Sequence, residues 1–492
     1  MAAASATSYE GSGRQKPINL LRGWPATTLL PADALRTASQ IALSEPKIWN
    51  PGLEYGPDSG YQPLREELAG WLDRFYNAPH QNLEEGSGTA KAGAENFSIT
   101  GGASQSVACL LQSFTDPGET LAVWMVAPCY FLACQIFADA GFAGRLKAVG
   151  EDEEGVDLVA LERSILDLEA KTQKERSQAG EQRYKKAGPH RKIYKHIIYC
   201  VPSFSNPSGR TMSLGRRKGL VDLARKYDAL VICDDVYDML QWHTNPSAAS
   251  LDSALLPRLA DMDLALGPSP HDPEGKHFGH AVSNGSFSKL VGPGVRTGWT
   301  YSTPDFAFGV SQTGSTKSGG APSQLTATIV CELLKDSQGG LDAHIRQTLR
   351  PTYARRHGLL MKTVLKELVP LGIQVIEHSL QEQKDFFGGY FVWMNLPTTT
   401  DGKSWPTAKE IAERCRATED LMIGNGELFA VHGDEAAAPF NHAIRLCFAW
   451  EDEEDLVNGV ERLGRVIRQM LNEEPGSWDE SRRAERNVDE DK

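Results

Sequence analysis

The sequence predicts an α/β fold in which helices cover both faces of a mainly parallel central sheet, followed by a smaller α+β domain. The first observation is the alternation between residues 96 and 236, where the strand-like segments "NFSIT", "TLAVWMV", "HIIYCVP" and "ALVICDDV" are separated by helix-like segments such as "SQSVACLLQSF" and "GLVDLARKYD". Right-handed crossovers join strands that alternate with helices, so neighbouring strands run parallel. The second observation is that "FFGGYFVWMNLP" and "NHAIRLCFAW" follow a helix predicted over 349–368 and again resemble strands, which indicates the second domain.

The chain is too long for one hydrophobic core. It has 492 residues, whereas single cores stop growing at roughly 250–300 residues. We expect an N-terminal arm over 1–50, a large domain over 51–340, a small domain over 341–472 and a charged, disordered tail over 473–492.

Two polar segments interrupt the alternation. Residues 169–192 are polar and locally basic, and they predict a solvated excursion. Residues 251–281 carry proline, glycine and histidine, and they predict a long surface loop.

Cysteine and histidine positions do not favour a metal site. None of the eight cysteines forms a C-x-x-C pair, and several lie in apolar runs such as "IIYCVP". We interpret them as reduced packing residues, a zinc site being the alternative. His271, His277 and His280 have no supporting cluster of carboxylates or cysteines, so no metal ligand is predicted.

Charge and hydropathy restrict the partners. The formal net charge is -13, and nucleic acids and anionic membranes both attract basic faces. No segment approaches the roughly 20 apolar residues that span a bilayer, and the first residues lack the apolar core of a secretory signal. We therefore expect a cytoplasmic enzyme that acts on small molecules and binds neither nucleic acid nor membrane.

The segment "GSFSKLVGPGVRTGW", residues 285–299, places Lys289 among small residues, with an arginine seven positions later. A lysine amine can form a Schiff base with a carbonyl compound. Pyridoxal phosphate requires such a lysine, and it also requires an anion site for its phosphate and a carboxylate for its ring nitrogen. These two further features can be sought elsewhere in the sequence.

An anion site is predicted where "ITGGASQSV" ends a strand and begins a helix. The backbone amides around Ala103 and Ser104 would point at an anion along the helix dipole. Ser286 and Arg296, on either side of Lys289, could complete this site, the arginine neutralising phosphate charge.

The ends of other strands supply candidates for the ring. Asp234 and Asp235 follow an apolar strand, and one of them could keep a pyridine nitrogen protonated, while the phenol of Tyr237 could donate to a phenolate oxygen. Asn206 lies in the proline-fixed turn of "VPSFSNPSG", and Tyr130 of "APCYFLA" offers an aromatic face. Each motif alone is typical of an ordinary turn or core position, and their combination indicates the cofactor.

Taken in order, the motifs resemble those of class I/II aminotransferases of the fold-type I pyridoxal-phosphate-dependent superfamily, nearest to the aminoadipate, kynurenine and aromatic branch. The resemblance covers residues 17–470. The matching motifs are "YGPDSGYQPLREEL", "ITGGASQSV", "APCY", "SNPSG", "DDVY", "SFSK" with "PGVRTGW", "GGYFVWMNLP" and "IRLCFAW".

The resemblance implies a role for each residue. The implied cofactor-binding roles are Lys289 as Schiff-base lysine and general base, Asp234 as partner of the pyridine nitrogen, Tyr237 and Asn206 as partners of the phenolic oxygen, Tyr130 as the stacking ring, and Ala103, Ser104, Ser286 and Arg296 as phosphate ligands. Tyr55 of "YGP" would reach the phosphate of a neighbouring subunit, which implies a homodimer with shared active sites. Arg445 and Asn206 would bind the substrate α-carboxylate, and Arg22 would border the substrate side chain.

The implied reaction transfers an amino group from an amino acid, aromatic or similar to 2-aminoadipate, to a 2-oxo acid such as 2-oxoglutarate. Two alternatives remain open from the residues. One is a lyase that eliminates a β- or γ-substituent, because the same residues activate the α-carbon. The other is a noncatalytic sensor, disfavoured because the chain keeps every candidate catalytic residue and has no basic helix-turn-helix extension.

Overall fold

A computed structural model describes most of the chain. The described residues are 15–76, 92–179, 183–245, 251–319, 322–376, 386–400 and 402–473. The tail predicted to be disordered lies outside them except for its first residue, as do the first 14 residues of the predicted arm.

The described residues form fourteen α-helices and eighteen strands. The helices are α1 Ala32–Ser44, α2 Pro46–Leu53, α3 Gln62–Tyr76, α4 Ala103–Phe114, α5 Phe131–Phe137, α6 Leu158–Ala179, α7 Leu214–Lys226, α8 Leu259–Ala265, α9 Pro304–Ser311, α10 Gln324–Lys335, α11 Leu341–His344, α12 Arg350–Glu367, α13 Ala408–Glu419 and α14 Glu453–Asn472. The strands are β1 Ile18–Asn19, β2 Phe97–Thr100, β3 Ala122–Ala127, β4 Leu146–Asp152, β5 Gly155–Val156, β6 His196–Cys200, β7 Ala229–Asp234, β8 Gln241–His243, β9 Ala281–Ser286, β10 Gly298–Tyr301, β11 Gln374–Val375, β12 Phe386–Gly388, β13 Phe391–Asn395, β14 Thr399–Thr400, β15 Lys403–Ser404, β16 Leu421–Met422, β17 Gly424–Asn425 and β18 Ala443–Cys447.

The central sheet has eight strands in the order β2-β10-β9-β7-β6-β3-β4-β5. Strands β9, β7, β6, β3 and β4 are parallel to their neighbours in this series, whereas β10 is antiparallel to both β2 and β9. Every residue of β6 and β7 is buried, as expected for parallel strands covered on both faces. The prediction of a mainly parallel sheet flanked by helices is confirmed.

The register of the sheet brings three strand ends to one edge. Asp234 at the end of β7 pairs with Asn284 of β9, and Ser286 at the end of β9 pairs with Gly298, which also pairs with Thr100 at the end of β2. Ligands of such sheets bind beyond the carboxyl ends of the parallel strands. The turns after β2, β7 and β9 therefore converge on one candidate site.

A second, antiparallel sheet has the order β11-β13-β18-β17. In β18, Arg445 pairs with Trp393 on one side and with Gly424 on the other. Strand β1 pairs in parallel with β16, so the N-terminal segment lies against the C-terminal part of the chain.

The prediction of a solvated segment over 169–192 is confirmed over most of its described residues, which are exposed, although part of the segment is helical. Residues 169–179 continue helix α6. Beyond the helix, the amine of Lys185 donates to the carbonyl oxygens of Leu111 (3.1 Å) and Thr115 (2.7 Å) at the end of α4. Lys192 is buried and pairs with Asp228 at 2.9 Å. These lysines lie against the protein because backbone carbonyls and carboxylates satisfy their charge.

The surface loop predicted for residues 251–281 was wrong for its first part, whereas residues 266–277 do form a largely exposed loop. The first part contains α8, and Arg258 just before that helix is 2 % exposed. Its guanidinium pairs with Asp261 at 2.8 Å and lies between the rings of Tyr76 and Tyr301. The polar composition of the segment suggested exposure. The Arg258 charge can be buried because the Asp261 carboxylate and the two tyrosine rings stabilise it.

All eight cysteines are buried, as expected of packing residues. Within the described ranges, no group of three or more histidine, cysteine, aspartate or glutamate side chains is arranged to hold a metal ion. No helix in the described part of the chain is long and apolar enough to cross a membrane.

Candidate active site

Lys289 lies just beyond the end of β9, in a short 3₁₀ turn over Phe287–Lys289. Its amine donates to the carbonyl oxygen of Gly23 at 2.9 Å and lies 5.8 Å and 5.5 Å from the ring centres of Tyr237 and Tyr390. Burial lowers the pKa of Lys289 to about 8, although the nearby Asp234 carboxylate opposes the shift. A sizeable fraction of the amine is therefore neutral, and nucleophilic, near physiological pH.

The carboxylate of Asp234 is held from two sides. The Tyr199 hydroxyl donates to Oδ2 at 2.9 Å, and the Asn284 amide lies 3.4 Å from Oδ1. Burial raises the pKa of Asp234 to about 6, while the Tyr199 hydrogen bond and the Lys289 charge oppose the shift. The group is mainly ionised at pH 7 and could pair with a cationic ring nitrogen.

Asp235 has different surroundings. Burial, and then the charge of Asp238, raise the pKa of this carboxyl well above its ordinary value, while Arg217 and Arg258 oppose the rise. Of the two neighbouring carboxylates, Asp234 is the one that interacts with Lys289. This geometry favours Asp234 as the candidate for a ring partner.

The start of α4 has the properties of an anion site. Gly102 precedes the helix with a φ of 98°, and a Cβ there would lie 2.6 Å from the Arg296 guanidinium, so only glycine fits. The first-turn amides of Ala103 and Ser104 have no acceptor within the helix. Arg296 donates to the Gly101 carbonyl at 2.6 Å, which holds its cation beside these amides. A phosphate group fits this donor set.

Ser286 adds a hydroxyl at the end of β9. It is buried, and its Oγ donates to Ser288 Oγ at 2.8 Å while accepting from the Ser288 amide at 3.1 Å. The strand pairing of Ser286 with Gly298 places it beside the segment that carries Arg296.

Arg445 and Asn206 meet on the side of the second sheet. Arg445 Nη1 donates to Asn206 Oδ1 at 2.7 Å, and Nη2 donates to the Leu21 carbonyl. The rings of Phe391 and Phe429 lie 4.1 Å and 4.5 Å from the guanidinium carbon. Burial lowers the pKa of Arg445 to about 10, which leaves it a cation at neutral pH. Among the described residues its Nε is buried without a hydrogen-bond partner.

Two aromatic residues from the predicted set lie near these charges. Burial, and next the Asp234 charge, raise the pKa of Tyr130 to about 12. Tyr237 is buried, and its ring packs edge-to-face on Tyr390 with centres 5.4 Å apart. Burial also raises the pKa of Tyr237 well above its ordinary value, so both phenols remain protonated at neutral pH and able to donate.

Arg22 and Tyr55 are the other two residues predicted for the site. The guanidinium carbon of Arg22 lies 4.8 Å from the ring centre of Trp24 and 4.9 Å from that of Trp450, and Arg22 directly precedes Gly23, whose carbonyl contacts Lys289. Tyr55 is 87 % exposed on this chain.

Four residues at the site were not predicted from the sequence: Tyr199, Asn284, Tyr390 and Gly23. Tyr390 is fully buried, and its hydroxyl donates to the Lys289 carbonyl at 3.2 Å. The register of β7 against β9 is the signal that could have identified Asn284, because it places this residue opposite Asp234. Tyr199 and Gly23 are positioned by contacts that no local pattern reveals.

An amine of lowered pKa, a buried carboxylate and an amide cradle with an arginine lie at one sheet edge. This donor set matches the aldehyde, ring nitrogen and phosphate of pyridoxal phosphate. Fold and site thus define the class of fold-type I enzymes that depend on this cofactor.

The chain belongs to the family of class I and II aminotransferases, whose model matches residues 30–463. It is accordingly a pyridoxal-phosphate-dependent aminotransferase.

Several curated relatives carry named activities. The chain is 26% identical over 457 residues to aromatic-amino-acid aminotransferase 1 of Thermococcus litoralis, covering 92% of this chain and 88% of the relative. It is 26% identical over 460 residues to 2-aminoadipate transaminase of Thermus thermophilus, covering 93% and 92%. An uncharacterized protein of Saccharomyces cerevisiae is 33% identical over 466 residues, covering 92% and 98%.

A solved structure supports the fold. The kynurenine aminotransferase of Pyrococcus horikoshii superposes with a TM-score of 0.68 at 24% identity, covering 93% of this chain and 92% of that one.

Proposed function

We propose that this aminotransferase takes the amino group of an aromatic or 2-aminoadipate-like amino acid and passes it to a 2-oxo acid, with 2-oxoglutarate as the expected acceptor. The observation that carries the proposal is the position of Lys289, whose amine lies within electrostatic reach of both the Asp234 carboxylate and the Arg445 guanidinium. In this proposal Lys289 would be the base, Asp234 the anchor for the ring and Arg445 the anchor for the substrate carboxylate.

Pyridoxal phosphate supplies an aldehyde that bonds reversibly to amines and a ring that accepts electrons from the substrate α-carbon. In this chain Lys289 would hold the aldehyde covalently and, when displaced by the substrate, move a proton at the α-carbon. Asp234 would keep the ring nitrogen protonated. Ala103, Ser104, Ser286 and Arg296 would hold the phosphate.

Arg445 would bind the substrate α-carboxylate in bidentate fashion, since the planar guanidinium matches a carboxylate. Asn206 contributes to the same site by fixing one guanidinium nitrogen, and it would also reach the phenolic oxygen of the cofactor together with Tyr237. Tyr130 would stack on the ring.

The choice of donor rests on the relatives and on Arg22. The aromatic-amino-acid aminotransferase and the 2-aminoadipate transaminase named above support the two donor classes. Arg22 lies next to the residue that contacts Lys289 and would meet an acidic substrate side chain, with Trp24 and Trp450 beside it for aromatic ones.

We propose that the chain works as a homodimer in the cytoplasm. A tyrosine as exposed as Tyr55 is available to contact a second copy, where it would reach the partner's phosphate. We also propose that residues 51–340 and 341–472 act as large and small domains, with 1–50 as an arm. The cofactor ligands Lys289 and Asp234 then belong to the large domain and the substrate ligand Arg445 to the small one.

A donor screen tests the proposal. Purified enzyme with added cofactor is incubated with single amino acids and either 2-oxoglutarate or pyruvate, and the 2-oxo acid formed from the donor is measured. We expect turnover of aromatic amino acids or 2-aminoadipate that requires the acceptor. Ammonia release without any acceptor would indicate the lyase alternative, and absence of turnover with every donor would indicate a sensor.

A further inference from the structure

The side-chain amide of Asn284 connects two parts of the candidate site. Asn284 is fully buried in β9, directly opposite Asp234 of β7. Its Nδ2 lies 3.2 Å from the Ala103 carbonyl oxygen, in the first turn of α4, and 3.4 Å from Asp234 Oδ1. One amino group thus contacts both the carboxylate and the helix that forms the anion site.

The orientation of this amide is determined by its neighbours. Both nearby groups are acceptors, so rotating the amide by half a turn would place its oxygen against two other oxygens. The Asn284 Oδ1 has no hydrogen-bond partner among the residues that the structure describes. Leaving a buried amide oxygen unsatisfied is costly, which indicates that the two contacts of Nδ2 govern the side chain.

Tyr199 offers a contrast on the other side of the same carboxylate. Its hydroxyl donates to Asp234 Oδ2 at 2.9 Å. The Asn284 amide contacts both the Asp234 carboxylate and the first turn of α4. The hydrogen bond from the Tyr199 hydroxyl goes to the Asp234 carboxylate.

We propose that Asn284 is a positioning residue that couples the two ends of the cofactor site, holding the Asp234 carboxylate in register with the first turn of α4. The inference rests on the proposed roles of Asp234 and of the Ala103 and Ser104 amides. Removal of the amide should weaken ligands at both ends of the site, because each end loses its link to the other.

The electrostatic surroundings agree with this role. A donor to the ionised carboxylate favours its charged form, and burial of Asp234 works against that form. The other titratable groups that interact with Asp234 are Lys289, Asp238, Tyr199, Tyr130 and Tyr237.

The test measures three ligands that cannot bond covalently to Lys289. Pyridoxamine probes the ring end, inorganic phosphate probes the helix end, and pyridoxamine 5′-phosphate probes both. Their affinities for the full chain freed of cofactor are measured in Asn284→Ala, Tyr199→Phe and Thr300→Val. Thr300 is the matched control, since it is buried, pairs with Asn284 across the sheet and has its hydroxyl 3.5 Å from the Ser98 carbonyl instead.

We expect Asn284→Ala to weaken pyridoxamine binding about tenfold and inorganic phosphate about threefold, with pyridoxamine 5′-phosphate losing more than either. Tyr199→Phe should weaken pyridoxamine to a similar extent but leave inorganic phosphate unchanged, and Thr300→Val should change none of the three. Asn284→Ser, whose hydroxyl is too short to reach both acceptors, should give the Asn284→Ala pattern and covers the case in which the alanine variant does not fold.

Two results would overturn the coupling. One is an inorganic phosphate affinity that is unchanged in both Asn284 variants. The other is a loss of ligand affinity in the Asn284 variants that only equals the loss in Thr300→Val. Asp234→Asn separates this inference from the assignment beneath it. If Asp234→Asn loses pyridoxamine binding while the Asn284 variants do not, the inference alone is wrong. If Asp234→Asn binds pyridoxamine normally, the carboxylate has been assigned wrongly and the inference is overturned with it.

Discussion

The amine of Lys289 donates a hydrogen bond to the carbonyl oxygen of Gly23, 2.9 Å away, and so joins the edge of the central sheet to the N-terminal segment. The close approach depends on glycine, since a Cβ at position 23 would lie 2.8 Å from the Phe391 ring. The segment that follows β1 therefore packs against the candidate site. In the proposed reaction the amine must leave this carbonyl in order to bond to a cofactor or move a proton.

The titration of Lys289 provides the first prediction. Burial lowers its pKa to about 8 from an ordinary 10.5, so in the cofactor-free enzyme the amine loses its proton at lower pH than surface lysines do. The rate of modification by an amine-specific reagent, followed at the Lys289 peptide, should rise through about pH 8. Asp234→Asn should move the midpoint lower, because the carboxylate that favours the charged amine is gone. A midpoint near 10.5 would contradict the buried position.

Asp234→Asn is expected to fold and bind cofactor weakly, yet to lose most of the amino-transfer rate. The neutral amide cannot stabilise a protonated ring nitrogen, so the ring accepts electrons poorly. Single-turnover measurement of 2-oxo acid formation checks this, with Asp235→Asn as the control. A larger loss in Asp235→Asn would mean that the other carboxylate is the ring partner.

Arg445→Lys should lower kcat/KM for amino acids about ten- to one-hundredfold while cofactor absorbance remains intact. A lysine keeps the charge but cannot form two parallel hydrogen bonds to a carboxylate, and it loses the fixed position between Phe391 and Phe429. Steady-state kinetics with a good donor checks the change. Unaltered kinetics, or loss of the cofactor itself, would argue against the role.

Arg22→Ala should reduce kcat/KM for acidic donors more than for aromatic ones. The cation that would pair with an acidic side chain disappears, whereas Trp24 and Trp450 remain beside the site. The ratio of kcat/KM for 2-aminoadipate to that for phenylalanine is the measurement. An equal decrease for both donors would show that Arg22 only supports the N-terminal segment.

Much of the large sheet could be predicted because its strands are continuous apolar runs bounded by turns. The burial of β6 and β7 along their whole length explains why "HIIYCVP" and "ALVICDDV" were recognisable. The polar segments were harder. Arg258 and Lys192 look like surface residues in the sequence, but the carboxylates of Asp261 and Asp228 compensate their charges in the interior.

The candidate site could be predicted where a motif ends a strand, as at Asp234 and Lys289. It could not be predicted where the contact joins distant segments. The hydrogen bond from Lys289 to Gly23 and that from Tyr199 to Asp234 depend on tertiary packing, which local spacing does not encode. The same holds for Asn284, whose neighbours are set by strand register.

The most direct test of the central claim is to identify the lysine that holds the cofactor. The enzyme loaded with pyridoxal phosphate is reduced with borohydride, which makes the bond between aldehyde and amine permanent, and its peptides are mapped by mass spectrometry. We expect the label on the peptide that contains Lys289, and we expect Lys289→Ala to carry none and to lose amino transfer by at least about a hundredfold. Label on any other lysine of the wild-type chain, or a fully active Lys289→Ala enzyme, would contradict this claim.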